Sequence, residues 1–179
     1  MKDFWKMIVA SMMLNFIIAF FTPLLSIFIQ GVGEKNVFVI GIAWGTVFLT
    51  EAFVSVYFGR LADKYGRRKF LIIGNLIYCV IPFAYIFVSN ISQIIFLEFI
   101  SGIGLGMNTP AFFALFAEKM KQGKRGIGYG IWNSTVTLVT GIGAIVGAFI
   151  AQILGFQTMF IIMGIIQIVQ TILIASVKE

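Results

Sequence analysis

The stretch Gly59-Arg60-Leu61-Ala62-Asp63-Lys64-Tyr65-Gly66-Arg67-Arg68-Lys69 decides how the remainder of the chain is read. Five basic residues, one acid and two glycines stand within it, whereas the run before it, 37–58, carries Glu51 as its single charge and the run after it, 70–88, carries none. Each flanking run approaches the roughly 20 apolar residues that a helix needs to cross a bilayer at about 1.5 Å per residue. The charged stretch is therefore a short link between two membrane-spanning helices, too polar to sit in lipid and too short to fold alone. Within it, Gly59 leaves room for one helix to approach another, and Gly66 permits the positive φ of a tight turn. Asp63 suits a helix amino terminus or a neighbouring guanidinium, which Arg67 or Arg68 can supply.

On both sides of this link the same alternation of apolar run and polar break recurs along the chain. Six spans are predicted, at about 7–28, 37–58, 70–88, 92–116, 127–153 and 158–176, and the short links make consecutive helices antiparallel neighbours. Of the 179 residues 60% are hydrophobic and 11% charged, against about a quarter charged in ordinary soluble domains. A globule with so few charges would show water a largely apolar surface, so the solvent is lipid and a soluble enzyme is excluded. The first span has no small-residue cleavage site before the next polar break and is expected to be a mature helix, not a signal peptide. The expected fold class is an all-α membrane protein with one six-helix domain over 1–179 and no soluble domain. Cys79 is the sole cysteine and there is no histidine. An intrachain disulfide and a His/Cys metal site are thereby excluded, no cofactor is expected, and any proton coupling must rest on carboxylates.

Orientation follows from the basic residues, which stay on the cytoplasmic side of helix ends. With the amino terminus inside, Lys2 and Lys6, the charged link, Lys119, Lys121, Lys124 and Arg125, and Lys178 are all cytoplasmic, and of the 13 Lys and Arg residues only Lys35 lies outside. Both termini are thus predicted to be cytoplasmic, in the plasma membrane. The same sorting accounts for the net charge of +6: it is a basic collar facing anionic headgroups, and no aromatic-interleaved basic face exists to bind nucleic acid.

Glycine, aspartate, glycine and paired basic residues at the spacing of 59–69, in the link between the second and third spans, resemble the signature loop of the major facilitator superfamily. The resemblance implies that Gly59, Arg60, Asp63, Gly66, Arg67 and Arg68 latch against a helix of a transporter's second half, with Asp63 helping to hold one of two alternating conformations. The plainer reading is a positive-inside loop that only fixes topology. Glu98-Phe99-Ile100-Ser101-Gly102-Ile103-Gly104-Leu105-Gly106 resembles the family's fourth-helix motif, with Glu98 where that motif usually carries arginine. Gly143-Ala144-Ile145-Val146-Gly147-Ala148 resembles the glycine-proline motif associated with exporters, with Ala144 in place of proline. Glycine pairs 102/106 and 143/147 are expected to pack helices closely; the glycines of 102–106 lie in an apolar helix with no strand before it, so they are not a dinucleotide loop.

The family resemblance implies secondary active transport of a small molecule by alternating access, through a half built as a 3+3 inverted repeat whose first and fourth helices line the cavity. Asn15, Thr22 and Ser26 share one face of the first span, and Glu98, Ser101, Leu105 and Asn108 one face of the fourth. Thr22-Pro23 and Thr109-Pro110 occupy corresponding places, where these helices are expected to bend. Asn133, Thr137, Gln167 and Gln170 are read as interhelical hydrogen-bonding groups. Two acids lie within spans, Glu98 and Glu51. For Glu98 two readings stand level: a site for a proton or cationic substrate, or a carboxyl that snorkels or is held in a packed hydrogen bond. Glu51, off the expected cavity helices, favours the second.

Transporters of this family have two such halves, and this sequence carries one. It is a fragment of a longer transporter, a half that pairs with its own copy or another, or, as the alternative outside transport, a six-helix membrane scaffold or accessory protein.

Overall fold

The computed structural model of the chain describes residues 2–120 and 122–177. Lys121 and Lys178 of the predicted basic collar lie outside the described residues. The described residues form helices only: α1 Lys2–Phe21, a 3-10 turn Thr22–Leu24, α2 Leu25–Gly31, α3 Val37–Tyr65, α4 Arg67–Tyr85, α5 Ile91–Lys119 and α6 Arg125–Ala175. Among the described residues, five stretches are long and apolar enough to cross a membrane: Lys2–Gly31, Val37–Tyr65, Arg67–Tyr85, Ile91–Lys119 and Arg125–Ala175.

Two helix starts are fixed by asparagines placed ahead of apolar runs. The Asn36 side chain accepts from Phe38 N at 3.0 Å to open α3, and Asn90 accepts from Gln93 N at 3.1 Å to open α5. The link between α3 and α4 is shorter than the sequence suggests. Gly59–Tyr65 continues α3, and Gly66, at φ 103° and ψ 123°, alone breaks the path into α4. Hydropathy marks where lipid ends, whereas the helix ends where its backbone bonding ends, and Arg60, Leu61, Ala62 and Lys64 are all good helix formers.

At 51 residues α6 would measure about 77 Å if straight, against a hydrocarbon core of about 30 Å. Gly155, at φ 80° and ψ 165°, divides it into arms 125–154 and 156–175. Both outer ends of the hairpin return to the start of α1: a Cβ at Gly128 would lie 3.8 Å from the Phe4 ring, and Lys6 Nζ donates to Ser176 O at 3.2 Å. The end carrying these residues and Gly66 is here termed basal, and the end carrying Val37, Ile91 and Gly155 distal.

Glycines set the packing. The first arm of α6 lies along α1, where a Cβ at Gly143 would stand 2.7 Å from Phe16 O and one at Gly147 2.6 Å from Phe20 O. On α5, a Cβ at Gly102 would meet Val47 O and Thr50 Cβ at 2.6 Å, and one at Gly106 would strike Val54, so α3 lies against this face. Gly74 of α4 fits likewise against Gly104 O, at 2.8 Å. By contrast a Cβ at Gly59 would meet Pro110 at an ordinary 3.5 Å. The outer faces are apolar, with Phe53 81%, Phe87 80% and Ile145 74% exposed, as suits helices whose solvent is lipid.

Candidate functional site

α1 and α5 touch at few places, and two cavities open beside them. The distal one, about 150 Å³, is lined by Thr22, Glu98 and Ser101 together with Trp44, Tyr78 and Tyr85. The basal one, about 210 Å³, is lined by Asn15, Asn75, Asn108, Thr109, Trp132 and Gln170. Leu14, Ile18 and Leu105 line both and form the wall between them. Of the six residues expected in a single cavity, Thr22, Glu98 and Ser101 therefore meet in one chamber and Asn15 and Asn108 in another. Ser26 lines neither. The shared face of Asn15, Thr22 and Ser26 presumes an unbroken α-helix, and each residue of the 3-10 turn at Thr22–Leu24 adds about 20° to the rotation of the helix beyond it.

Glu98 is 8% exposed and accepts a hydrogen bond from Tyr85 Oη. The Tyr85 ring is held at 4.9 Å from Phe21 and 5.3 Å from Phe160, within an aromatic cluster at the distal end. Tyr78 Oη donates to Ser101 O at 3.3 Å, and Thr22 Oγ1 donates to Ile18 O at 2.8 Å, which satisfies the hydroxyl beside Pro23. The chamber thus combines one carboxyl with aromatic and hydroxyl groups, a set suited to a proton, a cation or an amphipathic solute.

In the basal cavity Asn15 Nδ2 donates to Ser11 O at 2.9 Å and Trp132 Nε1 to Ser11 Oγ at 2.8 Å. Asn108, 5% exposed, has its Nδ2 without a partner among the described residues. Glu51 is part-buried and accepts from Thr109 Oγ1 at 3.0 Å, tying α3 to α5. Because α3 runs on to Tyr65, Glu51 lies about four turns from its basal end, against about two turns from the predicted span end at 58. Thr109-Pro110 lies inside an unbroken α5, so of the two Thr-Pro pairs only Thr22-Pro23 marks a change of helix type. Gln167 donates to Gln170 Oε1 at 3.1 Å and to Asn75 Oδ1 at 3.5 Å, an interhelical bond of the expected kind. Asn133 and Thr137 instead point outward and are exposed.

At the basal end Arg67 Nε donates to Asp63 Oδ1 at 2.9 Å, and Arg67 also pairs with Glu118 at the end of α5. Arg68 Nη2 donates to Ala175 O at 2.5 Å, and with Lys6 it satisfies carbonyls at the close of α6, where the helix dipole favours cations. The charged link thereby joins α3, α4, α5 and α6. Arg60 is exposed, and Asp63 keeps a side chain 64% exposed beyond its ion pair. Sequence reasoning missed Tyr85 and Glu118. A phenol near the end of the 70–88 run and an acid just before the bases of the 119–125 link were the available signals.

A profile of the Major Facilitator Superfamily matches residues 4–178. The chain belongs to the major facilitator superfamily. It is 33% identical over 166 residues to the multi-drug resistance efflux pump PmrA of Streptococcus pneumoniae, covering 90% of this chain and 41% of that protein. It is 30% identical over 132 residues to the niacin transporter NiaP of Acinetobacter baylyi, covering 74% of this chain and 30% of that one. The chain spans about two fifths, or less, of the length of these relatives. A crystal structure of a POT peptide transporter in complex with sulfate shares the fold, with a TM-score of 0.82 at 14% identity over 98% of this chain and 37% of that one. This is a multi-pass membrane protein of a transporter family rather than an enzyme.

Proposed function

We propose that this chain is one six-helix half of a secondary transporter, which carries a small molecule across the plasma membrane by alternating access together with a second half. The two arms of α6 act as the fifth and sixth spans of a single domain. A 3+3 inverted repeat is supported by matched packing: the first span lies on the fifth through Gly143 and Gly147, and the fourth on the second through Gly102 and Gly106. The basal end, with its concentration of Lys and Arg, is cytoplasmic, and so are both termini.

The observation that carries this reading is Glu98, a carboxyl 8% exposed in the chamber beside α1 and α5. An ionisable group within the hydrocarbon is retained where it faces a pathway or a partner. Glu98 takes up a proton or a cationic group, Tyr85 orients it, and Thr22 and Ser101 line the path; Asn15 and Asn108 extend that path basally. Ser26 and Glu51 lie outside the linings of both chambers, and Glu51 is the less favoured of the two acids. Asp63, held by Arg67 and still exposed, is the contact offered to the second half, and Gly59, Arg60, Gly66 and Arg68 shape the link around it. The second half is either a further part of a longer polypeptide or a separate six-helix half, a second copy of this chain or a different one.

Transport against pH in proteoliposomes containing both halves tests the proposal. Glu98→Gln keeps volume and hydrogen bonding but cannot titrate, so the pH dependence of transport should disappear while expression persists. A pH profile identical to that of the unaltered protein would remove Glu98 from the mechanism and leave only Glu51.

A further inference from the structure

A third cavity, about 250 Å³, opens at the basal end between the start of α1 and the α5–α6 link. It lies apart from both chambers beside α1 and α5. Its walls are Phe4, Trp5, Met120, Ile127 and Ile131, and its charged lining is Lys119 and Lys124. The acids closest in sequence are engaged elsewhere: Glu118 pairs with Arg67, and Asp3 stands 3.9 Å from Lys6. The groove is therefore lined by two cations and by aromatic and aliphatic side chains. Trp5 is 52% and Ile127 65% exposed along it, and tryptophan at a helix end favours the headgroup level of a bilayer.

Two ammonium groups at the basal end of the bundle, beside exposed apolar side chains in the same groove, match an amphiphile with an anionic head and an acyl tail. We infer that this groove binds one anionic phospholipid, its phosphate between Lys119 and Lys124 and its chain along Trp5, Ile127 and Ile131. A free anion would leave the aromatic and aliphatic side chains unused, and a zwitterionic lipid would bring its own cation to the lysines. Because the groove joins α1 to the start of α6, the lipid would brace two helices that line the basal chamber, through Asn15 and Trp132. Binding itself does not depend on transport or on which side of the membrane is basal.

Native mass spectrometry of the purified full chain in mild detergent, titrated with phosphatidylglycerol or phosphatidylcholine, tests the site. One phosphatidylglycerol should bind in preference to phosphatidylcholine. Lys119→Gln/Lys124→Gln should lose roughly thirtyfold of that affinity, since each lysine near a lipid surface contributes on the order of a fivefold effect. The equal-charge control Lys64→Gln/Lys69→Gln, on exposed positions of the other link, should stay within about twofold if attraction is local and not spread over the collar. Ile127→Gln leaves both lysines and should weaken binding about tenfold through the lost apolar contact; it keeps the test decisive if the double variant fails to fold. Equal loss in the control, undiminished affinity in the groove variants, or complete displacement by inorganic phosphate would each overturn the proposal.

Discussion

A carboxyl group in the hydrocarbon is retained only with a partner, and Glu98 has one in Tyr85. The pair gives a prediction that does not depend on transport. Tyr85→Phe leaves the aromatic cluster with Phe21 and Phe160 but removes the donor, so thermal melting in detergent should show a loss of about 1–3 kcal/mol. Glu98→Gln keeps an acceptor and should melt close to the unaltered protein. Equal stability in Tyr85→Phe would mean that this hydrogen bond does not hold the site together. Glu98 itself was legible, because a charge inside an apolar run stands out. Tyr85 was not: a tyrosine is an ordinary residue near a span end, and nothing local says that it reaches 13 residues along the chain to Glu98. The same asymmetry applies at the link, where Asp63 with Arg67 was readable at a spacing of four and Glu118 required knowledge of how α5 returns.

Among the helices, the glycines on α5 and α6 do more than break propensity. Gly147→Ala would drive a methyl into the backbone of Phe20, and Gly102→Ala into Val47 O and Thr50. Each should lower stability by about 1–3 kcal/mol, as overpacking of a tight contact does. Gly45→Ala on α3, where nothing lies within 4 Å, should be neutral or slightly stabilising through helix propensity. A thermal melt of the three variants distinguishes helix packing from a general need for glycine: equal losses at all three sites would contradict close packing as the cause. The glycine pairs were legible from their four-residue spacing. The 3-10 turn at Thr22–Leu24 and the length of α3 were not, because apolar periodicity describes the environment of side chains and carries little information on where backbone bonding changes type. The division of the expected cavity into two chambers follows from the same turn and from Leu14, Ile18 and Leu105, which read as ordinary apolar residues.

For the bundle as a whole, the apolar runs carried the all-helical membrane class of the fold. The 51-residue α6 is where run-counting and backbone assignment differ. The predicted break between 153 and 158 lies around Gly155, whose φ of 80° is the physical cause of the reversal. The topology yields its own prediction: in intact cells an impermeant thiol reagent should label Lys35→Cys and should not label Lys64→Cys or Lys124→Cys in a Cys79→Ser background. Outside labelling at position 64 or 124 would invert the bundle and with it the side on which the charged link operates. On the proposed reading, the surface that faces Asp63 belongs to a second half. Alternating access requires that the distal chamber be part of a pathway opened in turn to the two sides of the membrane. Thr22→Cys, in the same background and in membranes containing the assembled transporter, places a thiol on the wall of that chamber. An impermeant reagent should then label it both from outside in intact cells and from inside in inverted vesicles; labelling from neither side, or from one side under every pH and solute condition, would contradict alternating access through this chamber.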